Sequence, residues 1–158
     1  MAGDNREPLL NARFRVEIAG VPSPGVVEVI LPEARISATR GRTPAVQYGA
    51  LTLRRAMTAS NEWYRWWDQA RRSPRDATRP LAVVLTDRFD ADVSRWSFSS
   101  AVPSAYAVSP LNAVRGELLI ETLELSVDGL TVTFGADETS GATDAARSRR
   151  SRPRRSPG

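Results

Sequence analysis

Three residue types are missing from this 158-residue chain: cysteine, histidine and lysine. Without cysteine there is no disulfide, no thiol nucleophile and no thiolate metal site. Without histidine the usual general base and the commonest neutral metal ligand are gone. Chemistry is left to carboxylates, tyrosine, serine and threonine, so the composition argues against an enzyme. No catalytic residue, cofactor site or metal site is assigned. Long apolar runs are missing too: no stretch approaches the length of a membrane span, and the opening MAGDNREPLL lacks the basic and apolar regions of a signal peptide. Synthesis in the cytoplasm is the expectation.

All twenty-two basic residues are arginine, which in a chain rich in alanine and proline reads first as the codon bias of a GC-rich genome. Their distribution is uneven. Residues 1–135 carry sixteen arginines against fifteen acids, whereas residues 136–158 carry six against three. The tail also lacks apolar content, so the sequence divides into a nearly neutral globular domain, 1–135, and a tail, 136–158, expected to be disordered.

Within 1–135 the periodicity is mostly that of strands. From Ala12 to Ala19, Phe14, Val16 and Ile18 alternate with Arg13, Arg15 and Glu17. The turn-rich run from Gly20 to Gly25 should reverse the chain. Val26–Leu31 reads as a second strand ended by Pro32, with a continuation over Ala34–Ser37. Residues 38–50 read as a polar loop or interaction arm, Leu51–Ala56 as a strand, 73–80 as a loop and Leu81–Thr86 as a strand. Asp87–Asp90 is the expected turn into an aromatic strand in which Trp96 and Phe98 share a face. One helix stands out, Ser60 to Arg72, with Thr58 or Ser60 as N-cap, Glu62 in the first turn, and Trp63, Trp66 or Trp67, and Ala70 at helical spacing. The fold class is therefore mainly β, a barrel or sandwich of antiparallel strands with one flanking α-helix.

The run from Gly116 to Phe134 is the strongest fold signal. Asp128-Gly129 suits a two-residue hairpin turn. That register sets Val127 against Leu130, Leu125 against Val132 and Leu123 against Phe134, all on one face. Upstream the apolar phase changes, with Leu118 and Ile120 at even positions and Leu123, Leu125 and Val127 at odd ones. The slip near Glu121-Thr122 implies a bulge or a change of packing partner.

Three groups could carry chemistry. Arg147, Arg149, Arg150, Arg152, Arg154 and Arg155 form a cationic run able to bind nucleic acid phosphates, or to act as a solvated tail. Asp87, Asp90 and Asp92 cluster, but lack the glycine and bidentate glutamate of a calcium loop. Trp63, Tyr64, Trp66 and Trp67 are too crowded for one core, so a neighbouring subunit is expected to cover part of them. No nucleotide-binding glycine loop or nucleophile elbow is present.

Six strings in order carry a likeness. They are Pro8–Ile18, the Tyr48–Arg55 segment with Thr58, Glu62–Trp66, Trp96–Phe98 with Ala101, Pro103 and Tyr106, Pro110–Ala113, and Ile120–Leu125. Together they resemble the tail-tube protein family of contractile phages and phage-derived extracellular contractile injection systems, itself similar in fold to the haemolysin-coregulated tube protein of type VI secretion. Ala56 stands where the family has glycine, and Ser126–Asp128, Leu130–Phe134 and the arginine tail depart from the common pattern. The resemblance implies a small β-barrel whose hexameric rings stack into a hollow inner tube, with sheath, baseplate and spike proteins as partners and cargo in the lumen. It also implies assembly into a phage tail or released injection particle, as the main tube subunit or as a variant joining tube to spike. A nucleic-acid-binding protein acting through its tail is the alternative of a different class.

Overall fold

The computed structural model describes residue 9, residues 13–38 and residues 40–135. Ala12, the expected start of the first strand, and the whole tail from 136 lie outside the described residues, the six tail arginines among them. In chain order the elements are β1 (Phe14–Ile18), β2 (Val21–Ser23), β3 (Val26–Ile30), β4 (Ala34–Ser37), β5 (Ala45–Tyr48), β6 (Leu51–Ala56), α1 (Glu62–Arg72), α2 (Pro74–Ala77), β7 (Arg79–Thr86), β8 (Asp92–Val108) and β9 (Ile120–Phe134). The fold is mainly antiparallel β, as the alternation predicts.

Seven strands form one sheet in the order β2-β1-β7-β8-β9-β6-β3, and β4 and β5 form a separate hairpin. The two outermost strands, β2 and β3, are joined by Pro24-Gly25 alone. Two linking residues span at most about 11 Å. The sheet therefore curls until its first and last strands come together at one corner, a half-barrel whose edge strands are linked there but not laddered. The expected reversal at 20–25 is thus two turns around a short strand. The tight hairpin is at Ala19-Gly20, where Ile18 pairs with Val21 and both turn residues have positive φ, 51° and 76°. Positive φ at both positions is what a twisted two-residue hairpin requires.

Inside the curl lie Val16, Leu51, Leu53, Leu81, Val83, Phe98, Leu123 and Leu125, all buried, with Trp63 and Trp66 of α1 closing the open side. Each such residue contributes about 1.5–3 kcal/mol by leaving water. Helix α1 begins at Glu62 with Asn61 as N-cap, and no side-chain cap hydrogen bond is made; Thr58 Oγ1 instead accepts from the Ser60 N–H at 3.2 Å. The N-cap expected at Thr58 or Ser60 is thereby corrected. Trp63, Trp66 and Ala70 are the buried positions. The expected loop 73–80 contains α2, anchored where Trp66 Nε1 donates to Ala77 O at 2.7 Å.

The closing run differs most from expectation. No hairpin forms at Asp128-Gly129: β9 is one 15-residue strand, paired along its length with the 17-residue β8. A ready partner strand satisfies the β9 backbone without a turn. Gly129 still has φ +68°, and a Cβ there would collide with the Ser99 side chain across the ladder. Inward residues of β9 are odd up to Val127 and then even at Leu130. Opposite them β8 changes from Phe98 to Ala101, so the whole ribbon exchanges faces at this level.

The slip expected at Glu121-Thr122 is also absent. Glu121 itself holds the inward phase, at 1% exposure, followed by Leu123 and Leu125. The bulge lies on β8, between Pro103 and Ala105, where proline cannot donate to a ladder. Finally, the loop expected at 38–50 contains β5, which pairs with β4 from Ala34↔Tyr48 to Ser37↔Ala45 and makes a projecting arm.

Candidate assembly interface

Four of the six sequence strings converge on one buried cluster. Arg55 and Glu121, 3% and 1% exposed, are ion-paired through Arg55 Nε and Glu121 Oε1. Tyr106 donates its hydroxyl to Glu121 Oε2 at 2.7 Å. The guanidinium lies 4.2 Å from the Trp63 ring centroid, and Glu62 Oε2 stands 4.0 Å from its Nη1. Arg55 Nη2 is buried with no acceptor among the described residues. A charge so placed is tolerated only with a partner. Glu121 and the Trp63 face supply it, binding β6, β8, β9 and α1 to one another. Desolvation first, and the adjacent Glu121 carboxylate second, push the Tyr106 hydroxyl up to about 12.

The outer face of the sheet carries a second network. Arg15 grips Asp92 with two hydrogen bonds, 2.8 and 3.1 Å, while Arg95 reaches Glu17 at 3.1 Å and Asp92 at 3.6 Å. The ladder places Val84 between Arg15 and Arg95, and Val84 is wholly buried although it points away from the core. The stems of long arginines cover apolar surface in this way. Hydrogen bonding from Arg15 holds the Asp92 carboxyl below its ordinary value, against the opposing effect of desolvation.

Beyond these clusters, exposed apolar surface lies on β9, the arm and the β8–β9 loop, and also at Val21 of β2, Val27 and Ile30 of β3, and Phe89. Strand β6 pairs with β9 over Ile120–Leu125, so, among the described residues, 126–134 of β9 are laddered to β8 on one side and to no strand on the other. On that open side Tyr48 of the arm accepts a hydrogen bond from Leu130 N–H at 3.1 Å. This half-edge has no proline, and Val132 and Phe134 are exposed. Beside it the arm pairs Ile36 with Val46, 70% and 50% exposed. At the opposite end of β9, the loop 109–119 exposes Leu111, Val114 and Leu118, and it is fastened to the barrel where Met57 N–H donates to Leu119 O. Unpaired strand edges and exposed apolar groups of this extent are templates for association.

The candidate residues of the sequence fall as follows. Asp87 Oδ1 accepts from the N–H groups of Phe89 and Ala91, and Asp90 sits at φ +60° within the expected turn. Asp92 belongs to the outer network. The three aspartates serve a turn and an ion pair, and among the described residues no group of three acids gathers as for a metal ion. Trp63 and Trp66 are core, Trp67 is half-buried, and Tyr64 is exposed on one side while meeting Tyr106 edge-on at 5.8 Å. Part of the surplus aromatic surface is thus covered by the chain's own β8. Nothing in the local pattern marks Arg55 and Glu121 as a buried pair; the apparent phase slip near Glu121-Thr122 is its only trace.

Comparison with known proteins adds a family. The model of the T4-like virus tail tube protein gp19 matches residues 10–131. Among solved structures, the cap of the anti-feeding prophage, its tube-terminating cap, has a similar fold at 16% identity, TM-score 0.60, covering 82% of this chain and 93% of that one. The sheath–tube complex of the PVC extracellular contractile injection system, in its extended state, gives 14% identity and TM-score 0.59 over 82% and 94%. Hcp1 from Flavobacterium johnsoniae gives 17% identity and TM-score 0.56 over 77% and 95%. Identities this low speak to fold alone. Among curated protein sequences none matches this chain.

Proposed function

This chain belongs to the T4-like virus tail tube protein family, and we propose that it is a structural subunit of the inner tube of a contractile injection particle. Six copies close into a ring, and rings stack head to tail into a hollow conduit. Sheath, baseplate and spike proteins are its partners, and cargo travels through the lumen. The chain is made in the cytoplasm and assembled there into the particle. Its task is mechanical, to be a rigid channel driven through a target envelope, and it needs no active site.

The observation that carries this reading is the half-edge of β9, residues 126–134, which among the described residues has no laddered strand on its outer side and stands beside an arm with an apolar face. A ring requires a heterologous contact that closes, and stacking requires a second contact along the axis. The half-edge supplies a backbone template for the first. The arm at one end and the loop 109–119 at the other supply unlike apolar surfaces for the second, so end meets end without self-pairing. A second reading, a variant that joins or terminates the tube, draws support from the root of the tail. The chain enters the tail at Gly135, on the same end as the arm, where a following ring would sit.

Sedimentation of the purified protein in 0.5 M salt tests the first reading. Particles of six-fold the 17.3 kDa chain mass, and multiples of it, are expected. A monomer at all concentrations would overturn it.

A further inference from the structure

The half-edge of β9 is not wholly bare, and what covers it comes from the arm. Strand β6 begins at Leu51, paired with Leu125. Carried back in that register, Tyr48 would ladder beside Asp128, three residues further along each strand. The chain turns away instead at Gly49-Ala50. Gly49 N–H donates to Glu33 O at 2.9 Å and Tyr48 pairs with Ala34, which fixes the tyrosine at the base of the arm. Its side chain returns to β9, where the Leu130 N–H donates to the Tyr48 hydroxyl at 3.1 Å. Leu130 is the middle residue of 126–134, and its side chain packs against the core, so this N–H is held in place. Strand alternation sets the N–H groups of Val132 and Phe134 on the same side, and neither has an acceptor among the described residues.

We infer that Tyr48 is a displaceable guard on this edge, a role that rests on the ring contact proposed above. In the separate chain its hydroxyl occupies the central donor, and it yields that donor when a strand of a second copy pairs there. Natural sheets cover or interrupt an edge that would otherwise add strands indiscriminately. The half-edge has no proline to do this, and Tyr48 does it from outside the strand. A neighbouring strand laddered along 128–134 needs the Leu130 N–H for its own carbonyl, so the hydroxyl must leave before that strand seats. The exchange at Leu130 is one hydrogen bond for another and nearly even. A short or casual contact therefore gains little, whereas a full ladder gains new bonds at Val132 and Phe134 and displaces the guard. Release also frees the base of the arm from β9, so edge pairing and arm position are coupled, each biasing the other by the same factor.

The test compares the full chain with Tyr48→Phe, which keeps the aromatic ring at the base of the arm and removes the acceptor. Amide hydrogen exchange, resolved to single residues by fragmentation mass spectrometry, is read on protein diluted to the monomer. Assembly is followed by light scattering against concentration. The Leu130 amide should exchange roughly two- to tenfold faster in Tyr48→Phe, the span of one net hydrogen bond. Thr131, whose N–H faces β8, should exchange equally in both and so report an intact fold. An edge that is open only part of the time binds with its affinity reduced by that fraction. Tyr48→Phe should therefore assemble at a concentration lower by the same factor. Equal exchange at Leu130 in the two proteins would overturn the guard while leaving the ring reading in place. So would faster exchange with an unchanged or higher assembly concentration, since the hydroxyl would then not compete with a neighbour. Two proteins that both stay monomeric at every concentration would overturn the ring reading and the guard with it, even where Leu130 exchange confirms the Tyr48 contact.

Discussion

At the residue scale the molecule turns on Arg55 and Glu121, a charged pair in the position of core leucines. Removing one partner strands the other charge in a low-dielectric site, at a cost of about 3–5 kcal/mol, whereas replacing both with apolar residues is often neutral. Arg55→Met should therefore unfold at markedly lower urea, and Arg55→Met with Glu121→Leu should recover most of the loss. Additive losses in the double variant would mean that the two charges are not coupled. Tyr106 reports on the same site from the alkaline side. Its folded value is raised, to about 12 against an ordinary 10.0. Its contribution to stability is therefore complete below pH 10 and lost as pH climbs through 12. Of the three tyrosines, one should ionise last in an ultraviolet titration, and Tyr106→Phe should remove that late step. Asp92 acts in the opposite sense: its lowered value makes the Arg15 pair a contribution present above the ordinary aspartate range and lost as pH falls through the lowered value.

At the scale of elements, β9 is the strand on which the proposed assembly rests. Leu130 N–H points away from β8 to Tyr48, and strand alternation sets Val132 N–H on the same open side. Val132→Pro removes a donor from that edge without removing a β8 ladder bond, a place where proline is tolerated. The variant should keep a cooperative thermal transition close to that of the parent and stay monomeric in sedimentation. Unchanged ring mass would show that copies join elsewhere.

The same strand shows how far pattern reading reaches. Alternation in β1 and β7, the proline after β3, and the tryptophan spacing in α1 are local signals, and the structure follows them. Asp128-Gly129 has the local chemistry of a hairpin, but turn propensity loses to a non-local fact, the length of β8 opposite. Glu121 broke the apolar count because its partner Arg55 lies 66 residues earlier, and no window along the chain contains both. Residues 38–50 carry the signal of a polar loop or interaction arm and not of a strand because Ile36 and Val46 are exposed, so burial does not select an apolar alternation over β5. The assembly surface was legible only in outline, as surplus apolar surface, since its partner is another molecule.

At the scale of the whole molecule, the curl of the sheet and the asymmetry of its ends account for a tube. The Pro24-Gly25 link joins the two edge strands of the sheet, and the tryptophans of α1 pack into its core. In the proposed ring, ends that differ in their residues would allow stacking in one direction only, which extends a ring into a tube without closing it into a dimer of rings. The outer network of Arg15, Glu17, Asp92 and Arg95 leaves a paired, nearly neutral sheet surface, while excess charge is placed in the tail. The proposed assembly therefore rests on backbone edges and apolar contacts, which salt screens little.

Electron micrographs of the purified protein in 0.5 M salt test the central claim most directly. Closed annuli with six-fold end views, some stacked into short tubes with an open bore, are the predicted result. A field of separate barrel-sized particles, at protein concentrations up to those of assembly, would contradict it.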